Sequence, residues 1–398
     1  MEMPRGRWVL LAISTVVVLG VLGGGLALQA GAADGAYRQV LTFSEVLSLV
    51  LDNYVDPVEQ EELLEGAYEG LLGGLDDRGA YLSSAEVAEW KKPAGDPLAE
   101  VGLSVLKAGS VVQVVAVTSG SPADRAGIEV GDQIRRLDGR PVRTLSWDQI
   151  VRRLRGAPGS SVRLSIVHPR EGFKRQDLDL ARASLTPPGY DVEVEAGVGI
   201  IAVRDLARVK ADALEADLKK IRAQGAARLL VDLRNVAGGS PRDVAPIAGL
   251  FATGPAFVLK DKQGRSVETV TAKGDGAAWS GPVAVLVNGG TAGSAEALVR
   301  WLQGRREAKV FGEGTFGLGP EPKLVELPDG GGLLIPAYLW ETTAGKRWSD
   351  EGIKPDTEVR AELRAEGKLV DALAEQRRRT IEAWSKEGAT AEARPKAA

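Results

Sequence analysis

The stretch "VNGGTAGSAEALVRWLQGRREAKVFGEGTFGLGPEP", residues 287–322, has the look of the chemical centre of a hydrolase. Within it Gly293, Leu318 and Pro322 offer no side chain that can attack a carbonyl. Ser294 offers a hydroxyl one place along. Such a hydroxyl becomes nucleophilic when a neighbouring base takes its proton, and a lysine can be that base where a dry, apolar site lowers its pKa towards neutrality. Lys309 and Lys323 are the nearby lysines. Ser294 falls at the start of a predicted helix, where one step in sequence turns a side chain by about 100°. It is therefore expected to point away from position 293 and to cap or pack. Other chemistries are closed off by composition. The chain has no cysteine, so thiol nucleophiles, disulfides and thiolate metal sites are impossible. The single histidine, His168 in "IVHPREG", has no second histidine with which to share a metal, and it is expected to be solvated at the end of a strand. No metal or cofactor is predicted.

Elements elsewhere must position these residues. At 398 residues the chain exceeds one ordinary core, and a prior of one domain per ~150 residues suggests two or three. With 44% hydrophobic and 26% charged residues most of it is expected to fold. A net charge of -4, with no domain-sized basic surface, argues against a nucleic-acid partner. Residues 1–33 carry Arg5 and Arg7, an uncharged run from Trp8 to Leu28, and Ala30-Gly31-Ala32. The length of that run favours a retained membrane anchor, and its small-residue end favours a cleaved export signal. Either reading sends the rest of the chain out of the cytoplasm, with the anchored form placed in the cell envelope or periplasm. A buried core helix fits the lack of charge less well.

Residues 34–98 read as a helical segment. Phe43, Val46, Leu47, Val50 and Leu51 recur at helical spacing and are expected to pack, and a second helix is predicted over Glu61 to Leu72. Residues 99–183 change to strand-like alternation in "VVQVVAV" and "SVRLSIV". Gly120-Ser121-Pro122-Ala123, Ala126-Gly127-Ile128, Gly131-Asp132-Gln133-Ile134 and Asp138-Gly139 follow in the order and spacing of a bacterial PDZ domain. That resemblance implies a carboxylate-binding loop at Val101, Gly102, Leu103 and Ser104, an adjacent strand edge that pairs with a peptide, and a helix from Ser146 to Leu154 as the other wall.

From residue 184 to 375 strands and helices alternate as in an α/β core, with a hairpin near the end, and residues 376–398 are expected to finish a helix and trail into disorder. The predicted fold class is thus multidomain α/β: a helical N-terminal segment, a PDZ domain and an α/β core. "YVDPV", "LLEGAYEGLLGGLDDRGAYL", the PDZ elements, "LVDLRNVAGG", "VLVNGGTAGSAEAL", "GEGTFGLG" and "EGIKPD" occur in the order seen in the carboxyl-terminal processing, or tail-specific, serine peptidases, which the chain resembles over about residues 41–375. The resemblance implies a serine nucleophile, a lysine base and a supporting glutamine. Asn288 and Glu296 set one register and "TFGLG" the other, and these place the nucleophile at Gly293, the base at Leu318 and the glutamine at Pro322. Gly238 and Gly239 match a glycine pair that looks like an oxyanion-hole contributor, or that simply makes a tight turn. Trp279, Trp301, Trp340 and Trp348 are expected in the core. Three functions follow: a non-cleaving binder of peptide or protein C-terminal segments, an active peptidase with a displaced nucleophile such as Ser294, and a scaffold subunit of a homo- or hetero-oligomer.

Overall fold

The computed structural model describes residues 37–75, 78–91, 99–185, 188–349, 351–360, 364–365, 368–369 and 372–392. The apolar run from Trp8 to Leu28 lies outside them, and no described helix is long and apolar enough to cross a membrane. The chain divides into two compact units, Met1–Tyr68 and Glu69–Ala398. Helix α1 (37–53) belongs to the first, and α2 (Gln60–Gly73) crosses the division. On α1 Phe43 and Val46 are exposed at 48% and 52%, while Leu47 and Val50 are partly buried. Helical spacing puts apolar residues on one face but does not supply a surface to cover it.

In the second unit a short strand, β1 (Ala80–Leu82), precedes α3 (Ser84–Trp90). Ser83 caps α3 and Glu86 reaches back to the Ser83 amide, a reciprocal pair that starts the helix sharply. The PDZ module follows as β2 (Ala99–Glu100), β3 (Leu103–Ala108), β4 (Val111–Val117), α4 (Pro122–Arg125), β5 (Gln133–Leu137), β6 (Arg140–Pro141), α5 (Trp147–Leu154), β7 (Arg155–Gly156), β8 (Ser161–His168) and β9 (Lys174–Ala181). Its main sheet runs β3-β4-β5-β8-β9, with β6 beside β5, so β3 is an edge strand. Val112, Val114, Ile134, Leu164 and Ile150 fill its core. His168 does end β8, but it is buried rather than solvated: Nδ1 lies 2.9 Å from Asp132 and Nε2 3.2 Å from Gln176. Both partners come from other strands or turns, which position in sequence alone does not reveal.

The core domain contains β10 (Tyr190–Glu195), β11 (Val198–Val203), α6 (Ala211–Ala223), β12 (Arg228–Asp232), α7 (Pro241–Ala248), β13 (Gly254–Asp261), β14 (Ser266–Ala272), β15 (Val283–Val287), α8 (Ser294–Arg306), β16 (Lys309–Gly312), β17 (Pro320–Glu326), β18 (Gly332–Thr342) and β19 (Thr357–Glu358). A two-stranded pair, β20 (Arg364–Ala365) and β21 (Lys368–Leu369), leads to α9 (Ala372–Glu392). Its central sheet is ordered β10-β11-β12-β15-β16-β19 and is parallel except at β10. Leu229 and Val231 face α6, α7 and α8, while Leu230 packs with Ile381 and Trp384 of α9, so alternate residues serve two cores. All four tryptophans expected in the core are buried. The predicted hairpin is β17–β18, and β1 pairs with β18, which ties the N-terminal segment into this second sheet. The tail differs from expectation, since α9 continues to Glu392 where disorder was predicted.

Candidate functional site

Three glycine-rich segments meet at the C-terminal end of the parallel strands, where α/β folds gather backbone N–H groups and helix starts. After β15, Asn288 makes the first tie: its side-chain oxygen accepts from the Asn235 and Gly290 amides at 3.0 Å, and its amide group donates to Asn235 at 2.8 Å. Thr291 donates its hydroxyl to the Leu233 carbonyl at 2.8 Å. The backbone then runs beside the loop after β12, with Ala292 N–H donating to Val236 and Ser294 N–H to Gly238. This brings Gly238 and Gly239 against Gly293 and Ser294. The loop after β16 closes the set, with Phe316 N–H on the Thr291 carbonyl and Thr315 N–H on Ile353 of "EGIKPD".

Glu296 holds this arrangement together. Its carboxylate is fully buried and accepts from the Gly293 amide at 2.9 Å, the Thr315 hydroxyl at 2.5 Å, the Gly317 amide at 2.7 Å and the Leu318 amide at 2.8 Å. Burial pushes its pKa up, against the pull of these donors. One carboxylate oxygen thus takes the amides of both 293 and 318, which makes the two positions neighbours. The sequence reading used Glu296 only to set a register. It also took the N-terminal segment as packing alone, whereas Arg78 donates to the Gly317 carbonyl at 3.2 Å.

Gly293 sits at φ 66°, ψ -117°, and a Cβ there would lie 2.9 Å from the Gly238 carbonyl oxygen. Leu318 packs beside Phe316 and Ala237 against Leu106, Val115 and Ala292, an apolar cluster shared by PDZ strands and core. Pro322 stands apart, in β17 opposite Pro336. Ser294 is buried, begins α8, and donates its hydroxyl to the Gly238 carbonyl at 2.8 Å. It does border the cleft described next, so the expectation that it points away is corrected: its Oγ turns to a backbone carbonyl within the site. Lys309 and Lys323 are both exposed and line no part of that cleft.

A cleft of about 1210 Å³ joins the two modules. Val101, Leu103 and Ser104 line its PDZ end with Trp147 and Val151 of α5, and Gly238, Gly239 and Ser294 line its core end. Gly102 holds φ 84° and has no room for a Cβ, which would fall 2.2 Å from the Ser121 Cβ. The Trp147 indole donates to the Val105 carbonyl of β3 at 3.1 Å, and its ring edge lies near Gly238. Helix α5 is itself pinned from behind: Gln149 donates to the Tyr81 carbonyl at 2.7 Å, and the Arg152 guanidinium lies 3.6 Å from the centre of the Trp90 ring.

This combination, a PDZ module opening onto the strand-end turns of an α/β core, defines the class. Residues 197–359 match peptidase family S41 and residues 113–167 match a PDZ domain. The chain is 25% identical over 317 residues to a probable CtpA-like serine protease of Staphylococcus aureus (strain N315), covering 79% of this chain and 63% of that one. It is 26% identical over 326 residues to a probable CtpA-like serine protease of Staphylococcus haemolyticus (strain JCSC1435), covering 81% and 65%. Its fold matches a photosystem II D1 C-terminal processing protease with a TM-score of 0.60 at 25% identity, over 82% of this chain and 95% of that one. The chain is a homologue of the C-terminal processing peptidases, with an S41 domain and a PDZ domain. It spans under two thirds of the length of these two staphylococcal relatives.

Proposed function

We propose that this chain is an exported, membrane-anchored relative of the C-terminal processing peptidases that captures C-terminal segments of peptides or proteins in its PDZ groove and does not cut them. The observation that carries the reading is the pair of neighbouring positions on Glu296: one is glycine, and the other is a leucine in an apolar cluster. Ser294 does not replace the missing pair, because its hydroxyl is spent on a backbone carbonyl, with no other hydrogen-bond partner among the described residues. A serine without a base stays protonated and unreactive.

The groove supports capture. Edge strand β3 can take an added strand, and apolar side chains of β3 and α5 face the cleft between them. The test pairs two measurements on the full chain. A fluorophosphonate probe should leave it unlabelled, and a peptide with a free apolar carboxyl terminus should bind more tightly than its amidated form. Labelling at Ser294 would make the chain an active peptidase, and equal binding of acid and amide would remove the carboxylate role of residues 101–104.

A further inference from the structure

A second hollow, of about 630 Å³, shares no lining residue with the cleft. It is formed around β5, β6, β8 and β9 of the PDZ module, and four arginines line it: Arg135, Arg136, Arg143 and Arg175. The one acidic lining residue is Asp177, whose carboxylate accepts from the Ser165 hydroxyl. Arg136 donates to the Gly139 carbonyl at 2.8 Å. None of the four arginines forms an ion pair among the described residues. Nearby Arg163 on the same sheet behaves differently, making a two-pronged pair with Asp179 at 2.8 and 3.0 Å.

Four arginines lining one concavity, with a single acidic residue among them, concentrate positive potential in a chain whose net charge is -4. The hollow has the size of a small-molecule site. Guanidinium forks match phosphate oxygens in pairs. An extended acidic peptide spaces same-face carboxylates about 6–7 Å apart, too sparse to meet several arginines in one compact hollow. We propose that this hollow binds a phosphate-bearing anion, either a soluble oligophosphate or a phosphate headgroup. The site is independent of whether the chain cleaves peptides.

The experiment uses the full chain in detergent and reads phenylglyoxal modification of individual arginines by mass spectrometry, with calorimetry for affinity. Tripolyphosphate should protect Arg135, Arg143 and Arg175 but leave Arg163 unchanged, and citrate should protect weakly. The variant Arg135→Gln/Arg143→Gln/Arg175→Gln, changed only at exposed positions, should bind tripolyphosphate at least about tenfold less tightly, as expected for removed charge-assisted pairs. Equal strength for glycerophosphoglycerol, a deacylated lipid headgroup, would assign the site to a headgroup, and a preference for tripolyphosphate to a soluble anion. Unchanged binding by the triple variant would overturn the proposal. So would citrate or a glutamate-rich peptide matching tripolyphosphate.

Discussion

Gly102 in the PDZ module and Gly293 at the foot of α8 both hold positive φ, 84° and 66°, beside crowded space. At Gly102 the crowding comes from the fully buried Ser121 side chain, within the PDZ module. At Gly293 it comes from the backbone of Gly238 and Gly239. The first glycine lies beside Val101 and Leu103, which line the cleft between edge strand β3 and α5. The second belongs to a set of turns tied together by amides on the Glu296 carboxylate. On the proposed reading, the scaffold of amides on Glu296 is separable from a pair of reactive side chains, and the first can stand without the second.

The strongest way to break that comparison is to remove the scaffold. Glu296→Ala would leave the amides of 293, 317 and 318 and the Thr315 hydroxyl without their acceptor. The expected cost is about 4 kcal/mol in urea unfolding, with little change in peptide capture at the PDZ end wherever the protein stays folded. The pH dependence has a definite sign. Burial raises the folded pKa of Glu296 above its unfolded value, so the fold binds this proton more tightly. Its contribution is greatest in acid and declines as pH rises from the ordinary carboxylate range through the folded value. The gap between parent and Glu296→Ala should narrow accordingly, and a gap that widens with pH would show that the four donors outweigh burial.

Supplying a nucleophile and a base comes next. Gly293→Ser should cost about 2 kcal/mol, because a residue with a Cβ is strained at this φ and the 238–239 turn must yield. Leu318→Lys disturbs the apolar cluster as well, and its ammonium must deprotonate to act as base. The double variant is expected to cleave an unstructured peptide weakly, and neither change should do so alone. Adding Pro322→Gln should contribute only a small increment, since β17 holds that position outside the cleft.

A smaller effect sharpens the other half of the comparison. Trp147→Phe keeps a ring against the cleft but releases the Val105 carbonyl, an acceptor on the edge strand. A peptide pairing with β3 no longer competes with the indole, so affinity for a free apolar carboxyl terminus should rise roughly fivefold by fluorescence titration, about the worth of one hydrogen bond. An unchanged affinity would mean that peptides do not use the β3 edge near Val105.

Much of this frame was legible because short-range chemistry announces itself. Ser146 and Gln149 cap α5, Ser240 and Asp243 cap α7, and alternation in "VVQVVAV" marks β4. Spacing in a recognisable motif singled out positions 293 and 318, and the structure brings them together on Glu296. Contacts across long separations were not. The pairing of β1 with β18 and Arg78 on Gly317 depend on how modules dock, Trp147 on Val105 depends on how α5 packs along β3 within the PDZ module, and nothing in their local sequence encodes the partner. His168 misled for the same reason, because Asp132 and Gln176 reach it only in the folded sheet.

The smallest predicted effect concerns Ser294, where the two halves of the comparison meet in one side chain. Ser294→Ala deletes the hydroxyl that donates to Gly238 at 2.8 Å, yet the same carbonyl still accepts from the Ser294 amide at 3.1 Å. No buried acceptor is orphaned, so the stability loss should stay within about 1 kcal/mol. Peptide capture should be unchanged, because the groove strand and helix do not depend on this bond. Proteolysis and fluorophosphonate labelling should be at background in parent and variant alike, since a hydroxyl committed to a carbonyl has given its proton to no base. Cleavage by the parent that vanishes in Ser294→Ala would reverse the reading, and would show that the hydroxyl can leave Gly238 and find a base when substrate enters the cleft.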